Sequence, residues 1–163
     1  MIDFVLHEGG VAATWAASAK PGDRLGIGGP RGSFVIPDNL ENYLLIGDET
    51  ALPAIGRRIE ELPATAHISA FVEVADRSER QVFETEAGLE LFWIERFAGQ
   101  SLVDMVKAAP RPPEGTYIFI AGEATLSATL RDHFVSCGHD PQLIKAAGYW
   151  RRGEANFDDG HAH

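Results

Sequence analysis

"YLLIGDETALPAI", residues 43–55, sets the architecture of this chain. An apolar run ends in Gly47, and an unbroken run closed by glycine reads as a strand buried on both faces, the habit of parallel sheets. The pattern then turns helical: "ALPAIGRRIEEL" (51–62) is amphipathic, with Pro53 in its first turn, where a missing N–H costs little. Asp48, Glu49 and Thr50 stand between the two elements. In open parallel sheets, ligands gather beyond the carboxyl ends of the strands. Gly47 lets backbone come close to a ligand, and the helix start offers unpaired N–H groups and a positive dipole end. The local alternative is that Asp48 or Thr50 merely caps the helix. The fuller G-x-G-x-x-G fingerprint is absent.

The same alternation continues outward. "HISAFVEV" (67–74) and "LELFWIER" (89–96) read as strands, "QSLVDMVKAA" as a helix closed by "PRPPEG", and "TYIFIAG" as a buried strand. "EATLSATLRDHFVSCG" is a helix with a terminal glycine, and "QLIKAA" a last strand. Strands alternating with helices from 43 to 147 predict an α/β domain built on a parallel sheet with crossover helices. "YIFIAGEATL" (117–126) repeats the first motif, so Gly122 and Glu123 belong at the same sheet edge as Gly47 and Asp48. An ordinary tight turn accounts for either pair alone; together they line one crevice.

Residues 1–36 read differently: "IDFVLH" and "RLGIGG…SFVI" as strands, "VAATWAASA" (11–19) as a short helix opened by glycines, and "KPGD" as a turn. "PDNLEN" (37–42) has linker composition. The expected organisation is therefore a β-rich segment 1–36, a linker 37–42, and a domain 43–163 that includes the tail.

Composition excludes several function classes. A formal net charge of −10 argues against nucleic-acid or anionic-membrane surfaces, so an anionic ligand must be held by backbone amides or clustered arginines. No apolar run reaches the length of a membrane span. One cysteine, Cys137, excludes an internal disulfide framework and suits a reducing compartment, the cytoplasm. The histidines show no ligand spacing beyond the tail pair His161 and His163, and no metal site is expected.

"GDETALPAI", "FVEVADRSERQ", "AGEATLSATLR" and "GYWRRG" resemble the C-terminal half of siderophore-interacting proteins, flavin- and NAD(P)H-dependent ferric-siderophore reductases of the ferredoxin-reductase-like group. "DFVLHEGGVAATWAASAKPGDRLGIGGPRGSF" resembles the end of that family's FAD-binding barrel. The resemblance implies a ferredoxin-reductase-like nucleotide domain preceded by a partial barrel segment. It also implies hydride passing from NADPH to a flavin, and electrons passing singly to a ferric siderophore that then releases ferrous iron. No acid–base side-chain constellation is needed, because the cofactors carry the chemistry.

The same resemblance assigns roles. His7 lies near the flavin, and Gly10, Ala12, Ala13 and Thr14 form a pyrophosphate-binding turn and helix, where amides near small residues suit phosphate. Gly47, Thr50, Ala51 and Pro53 line the nicotinamide-side phosphates. Asp48 and Glu49 lie near the flavin–nicotinamide contact, orienting amides or ribose. The loop after the second strand holds the adenosine ribose in this fold class. There Arg77 and Arg80, flanking Ser78, favour the 2′-phosphate of NADPH, unless they are a solvated charge cluster. Tyr149 and Trp150 cover a planar ring, or anchor the C-terminal segment; Arg151 and Arg152 attract the anionic chelate.

Two departures from the family shape the expectations. Residues 1–36 are shorter than the family's barrel and lack its Arg-x-Tyr-Thr flavin motif, and Ala13 stands where a hydroxyl is usual. The chain alone is expected to retain little FAD. Its strand edges in 1–36 would seek partners, which predicts a homo-oligomer. The rival function is a non-catalytic nucleotide-binding or interaction module.

Overall fold

The computed structural model of the protein describes Phe4, Leu6, residues 11–27, residues 40–154 and Phe157. The chain divides into two compact units, Met1–Ile36 with Ala162–His163, and Pro37–His161.

In the first unit, small residues favour a short helix, α1 (Val11–Ser18), of which Ala13 is the buried residue. A turn follows, closed by Asp23 N–H donating to the Lys20 carbonyl. Phe4 lies 5.8 Å from the Trp15 ring. The described parts of the two expected strands, Phe4, Leu6 and residues 24–27, belong to no strand. Their apolar alternation is real, but a strand exists only with a neighbour to share its ladder, and none pairs with them among the described residues.

The second unit is a five-stranded parallel sheet in the order β3-β2-β1-β4-β5. Its strands are β1 (Asn42–Gly47), β2 (His67–Val74), β3 (Gly88–Glu95), β4 (Tyr117–Glu123) and β5 (Ile144–Trp150). The central strands β1 and β4 are buried almost throughout, as their unbroken apolar runs require. Three helices cover the sheet: α2 (Leu52–Glu61), α3 (Leu102–Ala108) and α4 (Ala124–Ser136). On one face Leu44, Ile46, Ile118 and Ile120 pack with Leu102 and Val106 of α3 and Leu130 and Phe134 of α4. The pleat turns Tyr43, Leu45 and Gly47 to the other face, where Ile55 of α2 meets Gly47. Each fully buried Leu or Ile contributes about 1.5–3 kcal/mol, so this double-sided core holds the strand ends at fixed spacing.

Two expectations need correction. The β2-to-β3 connection carries no α-helix, only a 3₁₀ turn (Arg77–Glu79) and a loop. "SERQVFETEAG" has no helical apolar spacing; it is pinned instead by Phe83, which stacks on Trp93 and fills the space over Gly56, and by Thr85 Oγ1 donating to the Ile59 carbonyl at 2.8 Å. The last strand also runs further than "QLIKAA". It includes Gly148, Tyr149 and Trp150, so "GYW" lies within the sheet and only Arg151 begins the turn beyond it. Trp150 pairs with Glu123 after a register shift at Gly122.

Candidate functional site at the carboxyl edge of the sheet

The strand exits converge on one buried carboxylate. Asp48, 2 % exposed, follows β1 directly. Its Oδ1 accepts from the Thr50 backbone N–H at 2.9 Å and from the Thr50 hydroxyl. Its Oδ2 accepts from the Glu123 N–H at 2.8 Å, where β4 passes into α4, and from Trp150 Nε1 at 2.9 Å, at the end of β5. A carboxylate surrounded only by donors offsets its burial cost through charge-assisted hydrogen bonds. Asp48 thus ties three strand exits together.

Gly122 makes that approach possible. Its φ is +137°, and a Cβ there would lie 2.5 Å from Asp48 Oδ2. At Gly47 the space a Cβ would need is filled by the Ala121 carbonyl oxygen and Ala51 Cβ, both at 2.7 Å. The glycine expected to leave room for a ligand leaves it for the protein's own chain.

Neither Asp48 nor Thr50 caps α2. Its N-cap is Ala51, with no side-chain hydrogen bond and no acid in the first turn, and Pro53 sits in that turn. By contrast Glu123 caps α4, accepting from the Leu126 N–H at 3.0 Å.

Glu49 pairs with Arg96 Nη2, while Arg96 Nε reaches Glu73 Oε1 at 2.9 Å. Burial works against the charged guanidinium, yet the hydrogen bonds it donates to the Glu49 and Glu73 carboxylates, with their charge, outweigh this and raise the Arg96 pKa. Sequence reading missed both partners. Arg96 immediately follows a strand, and the rule that singled out Gly47 and Gly122, strand exit at the ligand edge, would have found it.

The loop after β2 is built on Asp76, whose Oδ1 accepts from the Ser78 N–H at 2.7 Å and from its hydroxyl at 2.6 Å; these bonds hold the carboxyl below its ordinary pKa. Arg80 pairs with Glu95. Arg77 is exposed and forms no ion pair among the described residues.

Around β5, Tyr149 is 45 % exposed. Burial of the rest pushes its phenol pKa up, with Arg58 opposing and Asp48 reinforcing the shift. Arg58, another residue sequence reading passed over, lies 4.1 Å over the Phe119 ring, and its Nε is buried with no hydrogen-bond partner among the described residues. Arg151 is engaged by Glu154 at 3.4 Å and by the Phe157 ring at 4.4 Å, whereas Arg152 is exposed.

Ala12, Ala13 and Thr14 lie in α1, in the other unit; His7 and Gly10 fall outside the described residues. His161 and His163 fall outside them too. Among the described residues no three His, Cys, Asp or Glu side chains converge as a metal site. Two cavities, of about 460 and 810 Å³, open at the opposite, amino-terminal edge, beside Asn42, His67 and Thr116 and beside Gly115 and His139. They share no residue with the Asp48 cluster.

Comparison with known proteins places these features in context. The family described as "Siderophore-interacting protein" matches residues 40–153, and "Siderophore-interacting FAD-binding domain" matches residues 1–34. The NADPH-dependent ferric-chelate reductase of Escherichia coli (strain K12) is 37% identical over 153 residues, covering 91% of this chain and 59% of that protein. The ferric vibriobactin reductase ViuB of Vibrio cholerae is 30% identical over 173 residues, covering 98% and 63%. The crystal structure of a siderophore utilization protein from T. fusca superposes with a TM-score of 0.86 at 40% identity, covering 95% of this chain and 61% of that one. The chain spans about three fifths of the length of these relatives.

Proposed function

The chain belongs to the siderophore-interacting protein family, and from that premise we propose that it serves NADPH-dependent, flavin-linked reduction of ferric siderophores, with residues 37–161 as its nucleotide-binding unit. The observation that carries this reading is the convergence of three strand exits on Asp48, at the edge where parallel sheets take their ligands.

The residues fit a dinucleotide. The start of α2 has neither side-chain cap nor first-turn acid, so the positive end of its dipole is open to a phosphate, while the Ala51 and Leu52 N–H groups donate to the Asp48 and Glu49 carbonyls. Asp48, shortly before that helix, spends its oxygens on internal donors. Arg77 is the exposed guanidinium suited to a 2′-phosphate, and the half-exposed Tyr149 ring offers a stacking face. In α1, small residues without a first-turn acid suit the pyrophosphate of FAD.

NADPH supplies a hydride, and FAD the conversion to the single-electron steps that a ferric centre takes. The protein's own work is positional: Gly122 and Asp48 fix the strand exits, the α2 start holds phosphate, and Tyr149 shields a ring from water. The ferric siderophore is substrate, drawn by Arg152 in its exposed turn. The E. coli relative, named as NADPH-dependent and acting on ferric chelates, supports both the donor and the acceptor. No helix among the described residues is long and apolar enough to cross a membrane. We place the reaction in the cytoplasm, where NADPH is plentiful, and self-association through residues 1–36 is part of the same proposal.

The test is an anaerobic assay of the full chain with added FAD, NADPH, a ferric catecholate chelate and a dye specific for ferrous iron. Colour that requires protein, NADPH and FAD together is the expected result. NADPH binding without colour favours the non-catalytic nucleotide-binding module instead; failure to bind NADPH in calorimetry overturns both.

A further inference from the structure

The helix α3 is too short to cover its strands. Its seven residues reach about 10 Å, against about 26 Å for the eight residues of β2 or of β3. Pro110 dictates where it stops. A residue before proline is forced out of helical geometry, and Ala109 is extended, with φ −69° and ψ 155°. The chain then leaves through "PRPPEG", and the amino-terminal part of β2 and β3 is left to line the cavity of about 460 Å³.

Strand register decides what the cavity floor offers. Ser69 of β2 stands beside Glu90 of β3, and Phe71 beside Phe92 in the next row. The two rings stack with centroids 4.6 Å apart. Phe71 is buried, but Phe92 is 41% exposed, and Met105 of α3, on the same lining, is 42% exposed. An aromatic ring and a thioether left open to water on one concave wall are apolar surface that the fold itself does not bury. Beside them Glu90 is exposed, with neither hydrogen bond nor ion pair among the described residues. The guanidinium of the lining, that of Arg111, is committed elsewhere. Its Nη2 donates to the carbonyl of Cys137, a residue that lines the neighbouring cavity and not this one.

We propose that this cavity binds a small organic cation, its ammonium group paired with Glu90 against the Phe92 ring and its aromatic or branched apolar body packed on Phe71, Phe92 and Met105. Apolar walls with a few polar groups, in a volume of about 300–1,000 Å³, are the usual make-up of a small-molecule site. A carboxylate open to water holds a cation weakly by itself, and a neighbouring ring face strengthens the attraction as water is displaced. The net charge of −10 raises the local concentration of cations and lowers that of anions. A protein partner would need roughly 1,200 Å² of contact, more than a cavity of this size gives. The site shares no residue with the Asp48 cluster and stands independently of the dinucleotide reading.

The experiment follows the Met105 methyl group by NMR in the full chain labelled with methyl-¹³C methionine. The second methionine, Met1, serves as internal reference, and M105L assigns the signal. Three ligands of one shape are titrated at about pH 8, where an alkylammonium keeps its proton: 2-phenylethylammonium, neutral 2-phenylethanol and anionic 3-phenylpropanoate. The cation should move the Met105 signal saturably at about millimolar concentration, and the other two should need about tenfold more. E90Q should weaken the cation about tenfold, to the level of the alcohol, and leave the alcohol unchanged. F92A should weaken both.

A Met105 signal that does not saturate with the cation up to about 10 mM overturns the proposal. So does an alcohol or a carboxylate that binds within about twofold of the cation, because charge would then play no part. Binding of the cation by E90Q within about twofold of wild type removes Glu90 and refutes the site as assigned. Glu90 and Phe92 are exposed, so their replacement removes little of the core. Should either variant still fail to fold, the three ligands on the wild-type chain decide.

Discussion

At the scale of single residues, the carboxylate of Asp48 only accepts: two of its hydrogen bonds go to Thr50, one to the Glu123 N–H and one to Trp150 Nε1. Asp48→Asn keeps the shape but replaces one acceptor with an amide that must face a donor. Its expected cost is about 1–3 kcal/mol, read from the midpoint of urea unfolding, with a shift in tryptophan emission as the Trp150 partner changes. Gly122→Ala should cost more, about 3 kcal/mol or above, because positive-φ strain adds to a Cβ 2.5 Å from the carboxylate. Stability of either variant within about 0.5 kcal/mol of wild type would mean that the Asp48 cluster is not what holds the edge together. The sequence placed Asp48, Gly122, Glu123 and Trp150 at strand exits. Their meeting on one carboxylate was not legible, since 75 and 102 residues of chain separate Asp48 from two of its donors.

At the scale of elements, the connection from β2 to β3 is where selectivity between dinucleotides would be set. Asp76 fixes the turn through Ser78, leaving Arg77 projecting while Arg80 is committed to Glu95. Arg77→Ala should therefore weaken NADPH binding about tenfold or more and leave NADH nearly untouched, a difference calorimetry resolves. Arg80→Ala should cost less, because a 2′-phosphate would first have to draw Arg80 from its pair. Equal losses for the two dinucleotides would show that neither arginine reads the 2′-phosphate. The β-strands of the second unit were legible almost to the residue, since buried runs and glycine boundaries are local signals. The missing α-helix before β3 was legible only as an absence of helical spacing. The continuation of β5 through Trp150 was hidden, because Gly148 and two bulky aromatics look like a strand's end until β4 is seen beside them.

At the scale of the whole molecule, several described apolar residues of the first unit are open to water, Ala13 being buried. Leu6 is 62 % exposed, Ile27 72 %, Val11 90 % and Leu25 45 %. Burying such side chains against a second copy would contribute roughly 1.5–3 kcal/mol each when complete, enough for association at modest concentration. Sedimentation should show a dimer or larger species at micromolar concentration, and L6E/I27E should shift it to monomer. A wild-type chain that is monomeric throughout that range would refute self-association through this unit. Of the strands expected at 2–7 and 24–29, the described residues Phe4, Leu6 and 24–27 carry no ladder, and the others lie outside the described residues.

The sequence by itself determined the parallel α/β unit, the placing of Asp48 and Glu123 at the carboxyl edge of its sheet, and the family. All three follow from signals within a few residues of one another: apolar period, glycine boundaries, and short motifs. Only the tertiary structure decided what the acidic residues at that edge do. Asp48 holds three strand exits, Glu123 caps a helix, and Glu49 is drawn to Arg96, 47 positions along the chain. A carboxylate's role depends on which donors surround it, and those donors come from other strands. Local pattern places a charge at the rim of a sheet; the order in which the strands assemble decides whether that charge faces a ligand or another part of the protein.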